Sequence, residues 1–106
     1  MIYPGLENHP DRAAAKKVLP NGCGHMLCFE LENRDAVNHF MRSVPEIPFA
    51  PSLGHTSTTC SHPDTTSHRY EAVEDKLRQG ITPGVVRLSV GSEDFVELRA
   101  KMSRGI

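Results

Sequence analysis

The sequence predicts one α/β domain of the α+β kind, a two-layer sandwich in which helices cover a small sheet. A chain of 106 residues allows a single domain over 1–106 and leaves no room for a second sizeable core. Two segments alternate apolar and polar residues, as strands do, and four others carry apolar residues at helical spacing. Because helices with one apolar stripe must bury it, we expect them to layer on the sheet.

The first half of the chain predicts a helix, a strand and a second helix. Asp11 is placed to cap a short Ala-rich helix over 12–19. Residues 25–31 alternate apolar and polar side chains, which predicts a strand. Asn33 then caps a helix whose apolar residues recur at helical spacing as far as Val44.

The middle of the chain is the least regular part. Pro45 and Pro48 end the second helix and limit 46–50 to a short or edge strand. Residues 51–69 are rich in Ser, Thr, His and Pro. We expect this stretch to form either a weak strand with a loop or a functional loop.

The last third predicts helix, strand, helix. A helix over 70–79 ends at Gly80, and a second alternating strand follows over 85–90. Ser92 is placed to cap a final helix. Its buried stripe is predicted to contain Phe95, Leu98 and Met102.

Composition excludes several classes of partner. The chain has 12 Lys and Arg against 13 Asp and Glu, so it lacks the positive field that nucleic acid or an anionic membrane surface requires. No apolar run approaches the roughly 18 residues of a membrane span, and the first residues lack signal-peptide features. Three cysteines are an odd number and suggest reduced thiols rather than a disulfide framework. We therefore expect a soluble, cytoplasmic domain.

Metal binding and cysteine chemistry are the first functional alternatives. Cys60, His62 and His68 lie close in a polar stretch, but their spacing matches none of the usual zinc patterns. Cys28 falls within a strand pattern and is expected to pack as a small apolar residue. We predict no metal site and no catalytic cysteine.

Arg87 is the residue whose chemistry stands out. It lies in the second alternating strand, on the face opposite Val86, Leu88 and Val90. A guanidinium is always charged and binds a carboxylate through two parallel hydrogen bonds. From the residues alone, Arg87 either anchors a carboxylate or occupies a solvated face or structural ion pair.

An ordered set of short motifs runs through the whole chain. The motifs are, in order, Tyr3-Pro4-Gly5-Leu6, His9-Pro10, Gly24 to Leu31, Ser52-Leu53-Gly54, His62-Pro63, His68, Gly80-Ile81 and Arg87-Leu88-Ser89-Val90-Gly91 with Glu93. In this order and spacing they resemble the C-terminal small domain of the Cys/Met-metabolism family of pyridoxal-phosphate (PLP) enzymes. That family includes cystathionine γ-synthase, cystathionine lyases, methionine γ-lyase and O-acetylhomoserine sulfhydrylase.

The resemblance implies a fold-type-I small domain with a mainly antiparallel sheet and helices on one side. It implies that Arg87 binds the substrate α-carboxylate and that Ser52 lies beside that carboxylate and the active-site lysine. The lysine and the other residues that hold PLP belong to the large domain of the family. We therefore expect no catalytic and no cofactor-binding residue in this chain, and no activity from the chain alone.

Residue 51 is the expected specificity position. The cystathionine γ-enzymes resemble one another in placing Glu just before the serine of the Ser-Leu-Gly motif, where this chain has Pro51. A distal substrate ammonium would lose its carboxylate partner there. The resemblance therefore favours methionine γ-lyase-like or other chemistry on sulfur or γ-substituted amino acids, by elimination or replacement. The leaving group and the choice between lyase and synthase stay open.

Three functions from different classes follow from these observations. The first is the C-terminal domain of a PLP enzyme, paired with a large domain on the same or a companion polypeptide and homo-oligomeric in full-length form. It predicts an exposed apolar surface where that domain docks. The second is a free-standing amino-acid-binding or assembly module with a polar surface there. The third is a small metal-binding protein using Cys60, His62 and His68.

Overall fold

A three-stranded antiparallel sheet in the order β1-β3-β2 is the centre of the molecule. The computed structural model describes residues 1–106. It confirms the predicted α/β architecture, with four α-helices and one 3₁₀ turn around the sheet. The elements are α1 Arg12–Val18, β1 Met26–Glu30, α2 Arg34–Ser43, β2 Thr59–Ser61, the 3₁₀ turn Pro63–Thr65, α3 Val73–Arg78, β3 Val85–Ser89 and α4 Phe95–Gly105.

The strand register places Arg87 in the middle of the sheet. In the pairing of β1 with β3, Cys28 lies opposite Arg87. In the pairing of β2 with β3, Ser61 lies opposite the same residue. Side chains alternate along a strand, so these three residues share one face of the sheet.

The other face carries the hydrophobic core, as the alternation predicts. Val86 and Leu88 of β3 are buried there, together with Phe29 of β1. The Phe29 ring packs edge-on against Phe40 of α2, with centroids 5.4 Å apart and ring planes at 73°. The full buried cluster is Phe29, Val37, Phe40, Val44, Ile47, Cys60, Val86, Leu88 and Leu98.

The face around Arg87 is also largely covered, which does not favour the alternative of a solvated sheet face. Val85 and Ser89, the neighbours of Arg87 on that face, are buried. Thr59 and Ser61 of β2 are buried as well. The Thr59 hydroxyl is satisfied inside because it donates to the Ser52 carbonyl of the loop that covers the strand.

Side-chain capping is confirmed at α2 and wrong at α1 and α4. The Asp11 side chain makes no cap hydrogen bond to α1. The Asn33 side chain accepts a hydrogen bond from the Ala36 amide at 2.9 Å, as a cap should. At α4 the cap is Asp94, whose Oδ1 accepts from the amides of Val96 and Glu97. The predicted cap, Ser92, instead donates its hydroxyl to the Thr56 carbonyl.

Two other boundaries differ from the prediction. Residues 46–50 do not form a strand, because Pro48 has no amide to donate and only Phe49 makes an isolated bridge to Cys60. The third helix begins at Val73 rather than at residue 70, since turns occupy the preceding residues. The weak strand anticipated within 51–69 is β2.

No helix of the structure is both long and apolar enough to span a lipid bilayer.

Candidate functional site

The Arg87 guanidinium is held at one end and free at the other. Its Nη2 donates to the Pro51 carbonyl at 2.8 Å and points to the Ser52 carbonyl at 3.5 Å. No acidic side chain is paired with it, and its Nη1 and Nε have no protein acceptor. Arg87 is half-buried, so the free donors remain accessible. This arrangement leaves donors available for a carboxylate and excludes the structural ion pair.

Residues 51–57, called here the 51–57 loop, bring the two carbonyl groups to Arg87. The Thr59 hydroxyl donates to the Ser52 carbonyl at 3.3 Å, and the Gly54 amide donates to the Ser89 hydroxyl at 3.1 Å. Gly54 has φ +71°, a left-handed conformation that favours glycine. The Ser52 side chain is exposed and makes no hydrogen bond. The structure therefore brings Ser52 and Pro51 beside Arg87, although they are 35 or more residues away along the chain.

The far end of the 51–57 loop is fastened by Glu93, which follows β3. Its carboxylate accepts from the Thr58 amide at 2.5 Å and from the Thr58 hydroxyl at 2.7 Å. The Gly91 amide donates to the same hydroxyl at 2.9 Å. Burial alone would raise the pKa of Glu93, but the bonds from Thr58 and the charge of Lys101 bring the pKa below its usual range.

The thiols near the site are protonated rather than nucleophilic. Burial raises the pKa of Cys28, and the positive charge of Arg87 opposes this only in part. Burial raises the pKa of Cys60 to about 11. The Cys60 thiol lies inside the core, 3.5 Å from the Met41 sulfur.

The histidines near Cys60 do not form a metal site with it. His62 is buried, and its Nε2 donates to the Pro83 carbonyl at 2.8 Å while the Thr65 hydroxyl donates to Nδ1 at 2.9 Å. Both ring nitrogens are thus occupied by the protein. His68 pairs with Ser67 instead. No three His, Cys, Asp or Glu side chains are grouped so that they could hold a metal ion.

None of the four lysines offers an amine that fits a covalently held aldehyde cofactor. The Lys76 Nζ is bonded to the Asp64 carboxylate at 2.9 Å and to its carbonyl at 3.0 Å. Lys16 and Lys17 are exposed on α1, and Lys101 lies on α4 in a shallow, highly charged depression. The residues present do not fit PLP, and we derive no chemical step through it in this chain.

An apolar groove opens on the core side of the sheet, between β1 and α4. Its volume is about 420 Å³. Most of its lining is apolar, and Phe95 at its edge is 71% exposed although the sequence predicts it in the buried stripe. The apolar lining residues are Met1, Leu27, Phe29, Leu31, Leu88, Val90, Phe95, Leu98, Met102 and Ile106.

Solved structures show the class of domain to which this fold corresponds. An O-acetylhomoserine (thiol)-lyase structure from Campylobacter jejuni, which contains a pyridoxyl-phosphate lysine adduct, superposes with a TM-score of 0.92 at 27% identity. A cystathionine γ-synthase from Xanthomonas oryzae, in complex with aminoacrylate and cysteine, gives 0.83 at 35% identity. The matches cover 98% and 97% of this chain but 25% and 28% of those chains. Both are fold-type-I PLP enzymes, as the sequence resemblance implies.

Sequence comparison gives the family. The family model for Cys/Met metabolism PLP-dependent enzymes matches residues 1–106, and the chain belongs to this family. It is 37% identical to an O-succinylhomoserine sulfhydrylase from Pseudomonas aeruginosa over its full length and 43% identical to a cystathionine β-lyase from Bacillus subtilis over 92% of it. It spans about a quarter of the length of these curated relatives.

The sequence predicts Arg87 and Ser52 as substrate-binding residues but does not predict the main-chain contacts that bring them together. Glu93 appears in the motif set without a role, and Thr58 was not singled out. The sequence offers one indication of this contact: a carboxylate, Glu93, stands two residues after Gly91, and the preceding loop is rich in Ser and Thr. Such a signal cannot name the partner because hydroxyl groups are abundant over 51–69.

Proposed function

We propose that this chain supplies the substrate-carboxylate site of a PLP-dependent enzyme acting on sulfur or γ-substituted amino acids, by elimination or replacement. Arg87 would bind the α-carboxylate, with Ser52 at its side. The state of the Arg87 side chain supports this role most directly. The side chain is half-buried, its guanidinium donates to two backbone carbonyls, and no acidic side chain is paired with it. Such an arginine retains its affinity for a carboxylate because no protein anion competes for it.

The fixed orientation of Arg87 matters for reaction specificity. A charge-assisted contact from the free Nη1 or Nε group would set the direction of the carboxylate and therefore of the other bonds at the substrate α-carbon. The hydrogen bond from Nη2 to the Pro51 carbonyl, at 2.8 Å, restricts rotation of the guanidinium before the substrate binds. The chain would thus contribute substrate orientation, while PLP and its lysine would be held elsewhere in the enzyme.

Pro51 supports a substrate without a distal positive charge. It is exposed at the start of the 51–57 loop and offers only a carbonyl, which Arg87 already occupies. A substrate with an apolar thioether or a small leaving group has no ammonium to satisfy there. This favours methionine-like substrates over cystathionine, and one relative of the chain, 37% identical, is an L-methionine γ-lyase from Fusobacterium nucleatum.

A large partner domain, on the same or a companion polypeptide, would complete the enzyme. The curated relatives are about four times as long as this chain. The apolar groove between β1 and α4 offers a surface that a partner domain can cover, with Phe95 at its edge. A free-standing polar module would not leave these side chains in water, so the groove favours the larger enzyme over the assembly-module alternative.

A domain-exchange experiment tests the proposal. The matching quarter of the P. aeruginosa sulfhydrylase is replaced with this chain, and the steady-state kinetics of the hybrid are measured with O-succinylhomoserine. In an active hybrid, Arg87→Gln should lower kcat/KM by roughly 10- to 100-fold, since a charge-assisted hydrogen bond contributes about 1.5–3 kcal/mol.

The matched control is Arg42→Gln, which removes an exposed arginine of α2 that makes no hydrogen bond. It should leave kcat/KM within about twofold, as expected of an exposed charge away from any contact. Equal kinetics of the Arg87→Gln and Arg42→Gln hybrids would contradict the carboxylate role of Arg87.

A further inference from the structure

Glu93 is a carboxylate that the proposed function does not use, although two groups of Thr58 donate hydrogen bonds to it. Its two oxygens accept from the amide and hydroxyl of Thr58, at 2.5 and 2.7 Å. Thr58 is 1% exposed, so its amide has no access to water as an alternative acceptor. A buried amide that loses its acceptor costs free energy, so the pair is expected to be persistent.

The contact is supported from β3 by close backbone packing. A Cβ at Gly91 would come within 2.4 Å of the Thr56 carbonyl and 2.6 Å of the Glu93 carboxylate. Only glycine lets the strand end lie this close to the 51–57 loop. The Ser92 amide then donates to the same Thr56 carbonyl at 2.8 Å.

The fastened loop is the one that orients Arg87. Glu93 bonds to neither Arg87 nor the residues that accept from it, so any influence must pass through the loop. At the near end, the carbonyls of Pro51 and Ser52 hold the guanidinium. All of residues 51–57 are exposed, and the loop has no apolar burial of its own to fix it. Its position therefore depends on hydrogen bonds, those at its two ends and the one from the Gly54 amide to the Ser89 hydroxyl in its middle.

We propose that Glu93 is a positioning residue for carboxylate recognition. By binding Thr58 it holds the 51–57 loop against the sheet, and the loop in turn fixes the Arg87 guanidinium. This inference rests on the proposed function of Arg87 for its consequence in binding. The effect of Glu93 on the mobility of Arg87, through the loop, does not depend on that function. Lys101 is the charged group of α4 whose field also acts on Glu93.

The experiment uses the 106-residue chain labelled with ¹⁵N. Hydrogen exchange of the Thr58 amide and relaxation of the Arg87 Nε–H group are measured, with L-methionine as the carboxylate probe. In Glu93→Gln, the Thr58 amide should exchange about 10-fold faster or more, because a bond to a charged acceptor is replaced by a weaker one. Arg87 should become more mobile, and the L-methionine affinity should fall by about the same factor.

Three further variants separate positioning from folding. Thr58→Val removes the hydroxyl at constant shape and should also loosen Arg87, whereas Thr58→Ser restores the hydroxyl and should restore its order. Glu97→Gln makes the same charge change on exposed α4 without touching Thr58 and should behave as wild type. If Thr58→Val or a folded Glu93→Gln leaves Arg87 as rigid as in wild type, the proposal is overturned.

The two proposals fail in different ways. If Arg87 of the wild-type chain does not respond to L-methionine, the carboxylate role of Arg87 is contradicted. The mobility of Arg87 in the variants still decides whether Glu93 positions it.

Discussion

At the scale of single residues, the chain's three cysteines should differ sharply in reactivity. The thiolate is the reactive form, so a raised pKa slows attack on a disulfide reagent. Burial raises the pKa of Cys28, and that of Cys60 to about 11, whereas Cys23 is half-buried outside the sheet. At pH 8 we expect one fast thiol per chain in a titration with an aromatic disulfide, followed by two slow ones.

Cys23→Ser is the variant that checks the assignment. It should abolish the fast phase, while Cys28→Ser should leave it unchanged. A fast phase that disappears with Cys28→Ser would mean that Arg87 activates this thiol. The cysteine would then be a candidate participant in the site, against the prediction made from its strand pattern.

At this scale the sequence predicts a residue's placement where that placement is set by neighbours in the chain, and not where it is set by distant residues. Arg87 could be placed on a strand face and given a chemistry because its neighbours alternate. Its acceptors could not be predicted, since they are main-chain carbonyls at residues 51 and 52 that only the folded loop delivers. For the same reason the contact of Glu93 with Thr58 could not be predicted, since the two residues meet only in the folded chain.

At the scale of elements, the Asp64–Lys76 pair holds α3 on the rest of the domain. Both residues are buried, and Lys76 bonds to the carboxylate at 2.9 Å. Arg34 of α2 pairs with the other carboxylate oxygen, so Asp64 joins two helices to the 3₁₀ turn. Lys76→Met should lower the free energy of unfolding by about 2 kcal/mol, because removing one partner leaves a buried charge less satisfied.

The control lies on the same helix. Arg78 pairs with Asp75 at 2.6 Å, but both side chains are largely exposed. Arg78→Met should therefore cost less than about 0.5 kcal/mol in urea unfolding, as solvent-exposed pairs generally do. Equal losses for Lys76→Met and Arg78→Met would contradict the role assigned to the buried pair.

The same pair has a defined pH dependence. The hydrogen bond from Lys76 is the main reason that the pKa of Asp64 lies below its usual value, and Arg34 adds to this against the cost of burial. Because the folded pKa is lowered, the stabilisation is complete above the unfolded pKa of about 3.9 and disappears as the pH falls through the folded value. The stability difference between wild type and Lys76→Met should therefore shrink in strong acid.

Elements could be predicted where local pattern and tertiary packing agree. The two alternating strands and α2, with its Asn33 cap, are confirmed nearly to the residue. The predictions at 46–50 and at the start of α3 are wrong because prolines and turns took the backbone groups that a longer element needs. The α4 cap is wrong because Ser92 is used to bind Thr56.

At the scale of the whole molecule, the sheet has one core face and one site face, and each is covered differently. Helices α2 and α4 cover the core face except at the groove along β1. The 51–57 loop covers the site face through hydrogen bonds rather than apolar packing. The fold thus has an arginine without an acidic partner on one face and an exposed apolar groove on the other, and its lysines are paired or exposed on helices.

The surroundings of the four lysines predict how the 106-residue chain responds to added PLP. Lys76 is bonded to Asp64, and the other three lysines lie on helices α1 and α4 outside any enclosed cavity. We expect no saturable absorbance band of a lysine-bound cofactor and no shift in the thermal unfolding midpoint. The full-length P. aeruginosa sulfhydrylase, treated identically, should give both. A saturable band for the chain that Lys101→Met abolishes would place a cofactor site within these residues and contradict the assignment of PLP to the partner domain.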